Sequence, residues 1–195
     1  MKMLLALTTL ALTAASAVAQ QRVGIDKIVP TSEQLGAGWG SNRVVVLVDP
    51  LSSPSIVTNE NEGPGWLKVA HNAVGEDGRE AYGVIRCFYG PNSVLVWINR
   101  FKSKEDIGQD WGTDREAGTK ATLDNLPGVG EEVRFYRRGG MHNNIAFRRG
   151  AYLVDVEGMG APIEKLKQMA EVMDGNLLKA QGQSAPKGQQ PAPTK

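Results

Sequence analysis

Ile163, Leu166, Ala170, Met173 and Leu177 recur at intervals of three, four, three and four, the spacing that draws one apolar stripe down an α-helix. Pro162 stands just ahead, where a missing amide proton costs least, so a helix is predicted to start there. Elsewhere the pattern shortens. Val44-Val45-Val46-Leu47-Val48 is a β-branched run closed by Asp49-Pro50, predicting a strand covered on both faces. Stretches 66–74, 80–89 and 94–101 read as three more strands. Gly75-Glu76-Asp77-Gly78 and Gly90-Pro91-Asn92-Ser93 would turn them into adjacent antiparallel hairpins. Residues 51–64, rich in Ser, Pro, Asn and Glu, read as a long loop. In the second half 131–137, 144–147 and 151–157 read as strands.

Two further helices are signalled by caps. Thr31 and Gln34 have the reciprocal spacing of a capping box, and Gly36-Ala37-Gly38-Trp39-Gly40 closes that short helix. These glycines follow a helix and lead into a strand, the reverse of the order a phosphate-cradling loop needs. Ser103 with Asp106 predicts a second cap, with Ile107 and Trp111 one turn apart facing the sheet and Gly108, Gly112 and Gly118 weakening the helix before Leu126-Pro127-Gly128. Residues 87–98, CFYGPNSVLVWI, and 146–156, AFRRGAYLVDV, each set a Phe before a glycine-bearing turn and an apolar strand after it. Two βββα-like halves are therefore expected. Together they make an α+β fold, a mostly antiparallel sheet of about six or seven strands with two main helices packed on one face.

The first nineteen residues read as an export signal. Lys2 gives a positive start, 3–12 an apolar run, and Ala17-Val18-Ala19 small residues at the positions a signal peptidase reads, so cleavage is expected between Ala19 and Gln20. The run is too short for a bilayer core that needs about 20 apolar residues, and neither a lipid-accepting cysteine nor a twin arginine accompanies it. A periplasmic or secreted protein with no membrane span in the mature chain follows. Residues 182–195, dominated by Gln, Pro, Gly and Lys, are expected to form a disordered tail, leaving 20–181 as a single globular domain.

Charge narrows the partners. The chain holds 22 basic and 21 acidic residues; removing the leader removes Lys2 alone and leaves a neutral protein. Nucleic-acid binding, which depends on a basic field, is disfavoured. Cys87 is the single cysteine, so no disulfide forms within the chain, and its place on a strand face with Ile85 predicts a buried thiol.

The densest chemical signal is YRRGGMHNNIAFRRG, residues 136–150. Period two puts Val133 and Phe135 on one strand face and Arg134, Tyr136 and Arg138 on the other. Arg148 and Arg149 would sit at the solvated tip of a hairpin turned by Gly150, and His142 in the loop between. Arginine suits two-pronged capture of carboxylate or phosphate, which makes Arg134, Tyr136, Arg138, Arg148, Arg149 and His142 the candidate ligand-binding residues, with Glu131, Glu132 and Asp155 as their ordinary salt partners. His71 and His142 lack neighbours at metal-ligand spacing, no Gly-x-Ser-x-Gly elbow occurs, and neither metal nor cofactor is implied. Of the tryptophans, Trp97 and Trp111 read as core, Trp39 and Trp66 as partly exposed. The sequence thus points to an exported, non-catalytic binding or interaction domain of the bacterial envelope. An anionic small molecule or acidic envelope protein held by the Arg surface is a narrower version. The contrasting reading, a hydrolase assembled from distant segments, requires His71 or His142 beside a serine or an acid in a cleft.

Overall fold

The structure, a computed structural model, describes residues 21–40, 43–52, 63–108, 111, 126, 128–138 and 142–183. A 3-10 turn at Ile25–Lys27 and a short helix α1 (Ser32–Leu35) lead into β1 (Val44–Val48); α2 (Gly63–Ala73) and a 3-10 turn at Glu76–Gly78 precede β2 (Arg79–Tyr89) and β3 (Asn92–Phe101); β4 (Glu132–Arg138), β5 (His142–Arg149) and β6 (Tyr152–Met159) run into α3 (Ile163–Ala180). The six strands form one antiparallel sheet in the order β1-β2-β3-β6-β5-β4. It is an α+β fold. Each half of the chain contributes three consecutive strands, and the halves join where β3 pairs with β6. The helices do not repeat: α2 lies between β1 and β2, whereas α3 follows β6.

Alternation along the strands gives the sheet two different faces. Val45 and Leu47 of β1, Val96 and Ile98 of β3, and Ile145 and Phe147 of β5 share one buried core with Leu166, Met169, Met173 and Leu177 of α3. Those helix positions are the stripe read from the sequence. At Gly158 a Cβ atom would stand 2.6 Å from Leu166 Cδ1, so the missing side chain is what lets α3 sit this close to β6. Cys87 belongs to the same core, 3% exposed. Burial pushes its thiol up to about 12.

The opposite face is covered differently. Val44 and Val46 pack against Ala70, Trp66 and Leu67 of α2, so the two main helices lie on opposite faces of the sheet and not on one. The strand expected at 66–74 is this helix. Pro64 suits a first helical turn, and Leu67, Ala70 and Val74 fall three and four apart; the short apolar run hid that period, and Val69, 47% exposed, made it look like a strand. The Thr31–Gln34 capping box is present in full. Ser103 receives the expected cap, its amide and hydroxyl both donating to Asp106 Oδ2 at 2.9 and 3.0 Å, but residues 102–108 make bends and turns and no helix. The rest of that predicted helix, the tail from 184 and the signal segment lie outside the described residues. No helix among the described residues is long and apolar enough to cross a membrane.

One buried ion pair ties the N-terminal segment to the sheet. Arg100, 1% exposed, holds Asp49 through Nη2 at 2.7 Å and Nη1 at 3.0 Å, and its Nη1 also donates to the Val23 carbonyl at 3.0 Å. Asp49 further accepts from the amides of Ile25 and Leu51 and from the Ser52 hydroxyl. Tyr152 Oη donates to the Val23 carbonyl and accepts from the Val23 amide. Burial works to raise the Asp49 carboxyl, but Arg100 and these donors outweigh it and hold the group below the usual aspartate range. A carboxyl depressed in the folded state stabilises the fold above its unfolded pKa, about 3.9, and loses that contribution as pH falls toward the folded value. Arg100→Met is expected to cost about 3–5 kcal/mol in urea unfolding, because Asp49 stays buried without its partner. The acid-side loss of stability below about pH 4 should shrink in that variant; identical acid profiles would show that another group carries it.

Candidate functional site

On β4 and β5 the register separates the arginines. Val133 and Phe135 pair with Phe147 and Ile145 and pack toward α3, while Arg134 and Tyr136 stand opposite Ala146 and Asn144 on the α2-side face. Arg134 donates to Glu132 Oε1 at 3.1 and 2.8 Å and to the Trp111 carbonyl at 2.8 Å. Arg148 reaches the other oxygen of Glu132 at 2.8 Å. The Trp111 ring lies 4.3 Å from the Arg134 guanidinium and 5.7 Å from that of Arg148. One carboxylate and one indole thus occupy two part-buried arginines, with Glu132 as their shared salt partner.

Arg149 belongs elsewhere. Its guanidinium grips Asp174 of α3 in a fork, Nε at 2.6 Å and Nη2 at 2.8 Å, and donates to the Gly128 carbonyl at 3.3 Å. The bond to Asp174 raises the Arg149 pKa despite burial. The residue expected at a solvated tip is therefore a brace between β5 and α3, because it is one position out of phase with Arg148. Gly150 does turn the hairpin, at φ 54°. Arg138 pairs by its backbone with His142; its side chain lies outside the described residues.

Beside the Arg134–Arg148 pair the same face carries a polar strip. Tyr136 donates to Asp155 Oδ2 at 2.5 Å, and His142 Nδ1 lies 2.8 Å from Glu157 Oε1. Tyr136, Asn144 and Glu157 form one row across β4, β5 and β6, and Ala146, Asp155 and Trp97 form the next. Asn144 is 1% exposed and its Oδ1 has no hydrogen-bond partner among the described residues. His142, predicted in a loop, instead opens β5, and Trp97, predicted in the core, is half-buried on this polar face. Asp155 and Glu157 could have been found from the alternation in YLVDVEG, where Tyr152, Val154 and Val156 take one face and leave both acids on the other. His71 is exposed in the last turn of α2. Among the described residues no group of three or more His, Cys, Asp or Glu is placed to hold a metal ion. Trp39 meets Tyr89 edge-on, ring centroids 5.6 Å apart.

A separate hollow of about 220 Å³ opens beside the β5–β6 turn, lined by Arg22, Lys102 and Lys104 with Gly150, Ala151 and Tyr152. No sequence signal unites these groups, which meet only because β3 ends where the N-terminal segment and the turn converge.

No protein-family model matches the chain, and no curated protein matches it. Among solved structures, the extracellular domain of PknH from Mycobacterium tuberculosis is similar at 9% identity over 82% of this chain and 99% of that one, with a TM-score of 0.43. An uncharacterised Mycobacterium smegmatis protein, the Rv0999 ortholog, is similar at 12% identity over 82% and 97%, with a TM-score of 0.38.

The two arginines that are neighbours in sequence should respond differently to loss of their carboxylates. Asp174→Asn is expected to cost about 3 kcal/mol in denaturant unfolding, since Arg149 loses a buried partner. Glu132→Gln, half exposed between Arg134 and Arg148, should cost under about 1 kcal/mol; equal losses would remove the distinction between brace and surface.

Proposed function

We propose that the chain is an exported, non-catalytic binding domain of the bacterial cell envelope, with the α2-side face of β4, β5 and β6 as its recognition surface. Asn144 carries the reading, as the buried floor beneath the part-exposed His142, Asp155 and Trp97. A buried amide oxygen without a donor costs about 1–3 kcal/mol, and here it sits in a row with Tyr136 and Glu157, among groups that would otherwise be cheaper as apolar side chains. Polar groups that a fold does not need are the expected mark of a surface kept for a partner. The export half of the proposal rests on the leader pattern of residues 1–19.

The partner meets a surface that carries charges of both signs. Glu132 answers Arg134 and Arg148, Asp155 and Glu157 lie one row apart, and recognition here works through hydrogen bonds and the half-buried Trp97 more than through net charge. The anion-capturing version of the Arg surface therefore draws little support from Arg134 and Arg148, and none from Arg149. The hydrolase reading has one observation in its favour, the His142–Glu157 contact, which resembles a base held by an acid. Ser93, opposite Met159 on β3, is separated from His142 by the whole of β6, about 9–10 Å at sheet spacing, too far for that histidine to take its proton.

Asn144→Leu tests the recognition surface. If the amide is kept for a partner, the variant should fold normally and gain up to about 1 kcal/mol in urea unfolding. A loss above about 2 kcal/mol would assign Asn144 to the scaffold and sink the reading. N-terminal sequencing of the protein recovered outside the cytoplasm should begin at Gln20; an intact Met1 would refute export by this route.

A further inference from the structure

The geometry points to a second site, distinct from the recognition face: the hollow at the end of β3 binds a compact oxyanion, a phosphate or carboxylate group. Its cations are differently held. Arg22 is fixed, with Nη1 at 3.0 Å from both oxygens of Glu80 and Nη2 on the Lys102 carbonyl, which sets its charge on the rim without side-chain freedom to lose. Lys102 and Lys104 are exposed two residues apart, and neither is in an ion pair among the described residues. The Lys102 amide donates to Gly78 and the Phe101 amide to Ala151, so the strand end that carries the lysines is itself anchored.

The charged groups that line the hollow favour an anion: Arg22, Lys102 and Lys104, with no acid among the described lining residues. Arg22, Arg100, Lys102 and Lys104 face Glu80 and Asp49, and Arg100 is consumed by Asp49 with a further contact to Glu80 at 3.6 Å. That leaves Lys102 and Lys104 without an ion pair among the described residues. Four features could oppose binding. Asp106, two residues beyond Lys104, has its carboxylate engaged by the Ser103 amide and hydroxyl. Glu131 approaches the turn, but its Oε1 is engaged by the Gly150 amide at 3.1 Å. Glu105, next to Lys104, is exposed and solvated. The α3 C-terminus also ends nearby at Gln181, yet its carbonyls are closed by Gly182 on Lys179 and Gln183 on Leu178, with Gly182 at φ 70°, the Schellman pattern that satisfies those carbonyls. At about 220 Å³ the hollow is smaller than a drug-sized pocket of about 300–1,000 Å³, which fits one anionic group of a ligand and excludes a bulky one. Lysine ammoniums act as point charges and do not require the planar geometry that an arginine fork imposes.

Inorganic phosphate titrated into isotope-labelled protein at low ionic strength should give saturable amide shifts at Lys102, Lys104, Gly150 and Ala151, fading as sodium chloride is added. Lys102→Glu with Lys104→Glu, both exposed, should keep the circular dichroism spectrum and weaken binding at least about tenfold. Shifts that never saturate, or a double variant that binds as well as the parent, overturn the site. Co-sedimentation with phosphatidylglycerol vesicles and not with phosphatidylcholine, lost in the double variant, would place the oxyanion on a lipid headgroup; saturable phosphate binding without sedimentation would place it on a soluble ligand. Asn144→Leu should leave phosphate binding unchanged, so this site and the recognition face can fail separately.

Discussion

The ion pair between Arg100 and Asp49 is the contact on which the rest of the architecture depends. Two full charges, both essentially removed from water, are tolerable only if most of the donors and acceptors around them are used, and the chain draws in Val23, Ile25, Leu51 and Ser52. Arg100 Nε, 3.6 Å from Glu80 Oε2, has no hydrogen bond among the described residues. The N-terminal segment is thereby committed to one position. Ile25 and Ile28, fully buried, close the core at this end, and Arg22, carried along by the same segment, reaches Glu80 and the end of β3. The hollow beside the β5–β6 turn is a by-product of satisfying one buried arginine.

How much of this the chain declares in advance depends on whether a feature is periodic or only spatial. α3 and the strands of the second half follow from their apolar spacing, and the capping box at Thr31 from its reciprocal pair. The face assignment of Arg134 and Tyr136 is equally periodic. α2 was hidden because 66–74 is short and Val69 points to solvent, so a stripe of Leu67, Ala70 and Val74 looks like alternation. Placement of the two helices on opposite faces follows from α2 alone: once it intervenes between β1 and β2, it covers the side of β1 presented by Val44 and Val46.

The candidate sites divide the same way. Arg148 and Arg149 are indistinguishable as letters, yet a one-residue difference in phase sends one to Glu132 and Trp111 and the other to Asp174. The polar strip was half legible, since the alternation of β6 exposes Asp155 and Glu157, while the burial of Asn144 depends on what packs above it. The cations of the hollow could not have been united beforehand, because Arg22 and Lys102 are 80 positions apart and meet only through the docked N-terminal segment.

The seam between β3 and β6 also governs the order in which the molecule can be assembled. A chain emerging from its N-terminus completes β1, β2 and β3 first, and β3 then waits with an open hydrogen-bonding edge until roughly 50 more residues have been delivered, because Val96 and Ile98 pair with Val156 and Val154. Tyr152, the residue that clasps Val23 across 129 positions, arrives at the same late moment. Nonlocal closure of this kind is slow, and an unpaired apolar edge is prone to associate with other chains in the interval. The half-built molecule is thus the vulnerable species, and its survival turns on how quickly β6 follows.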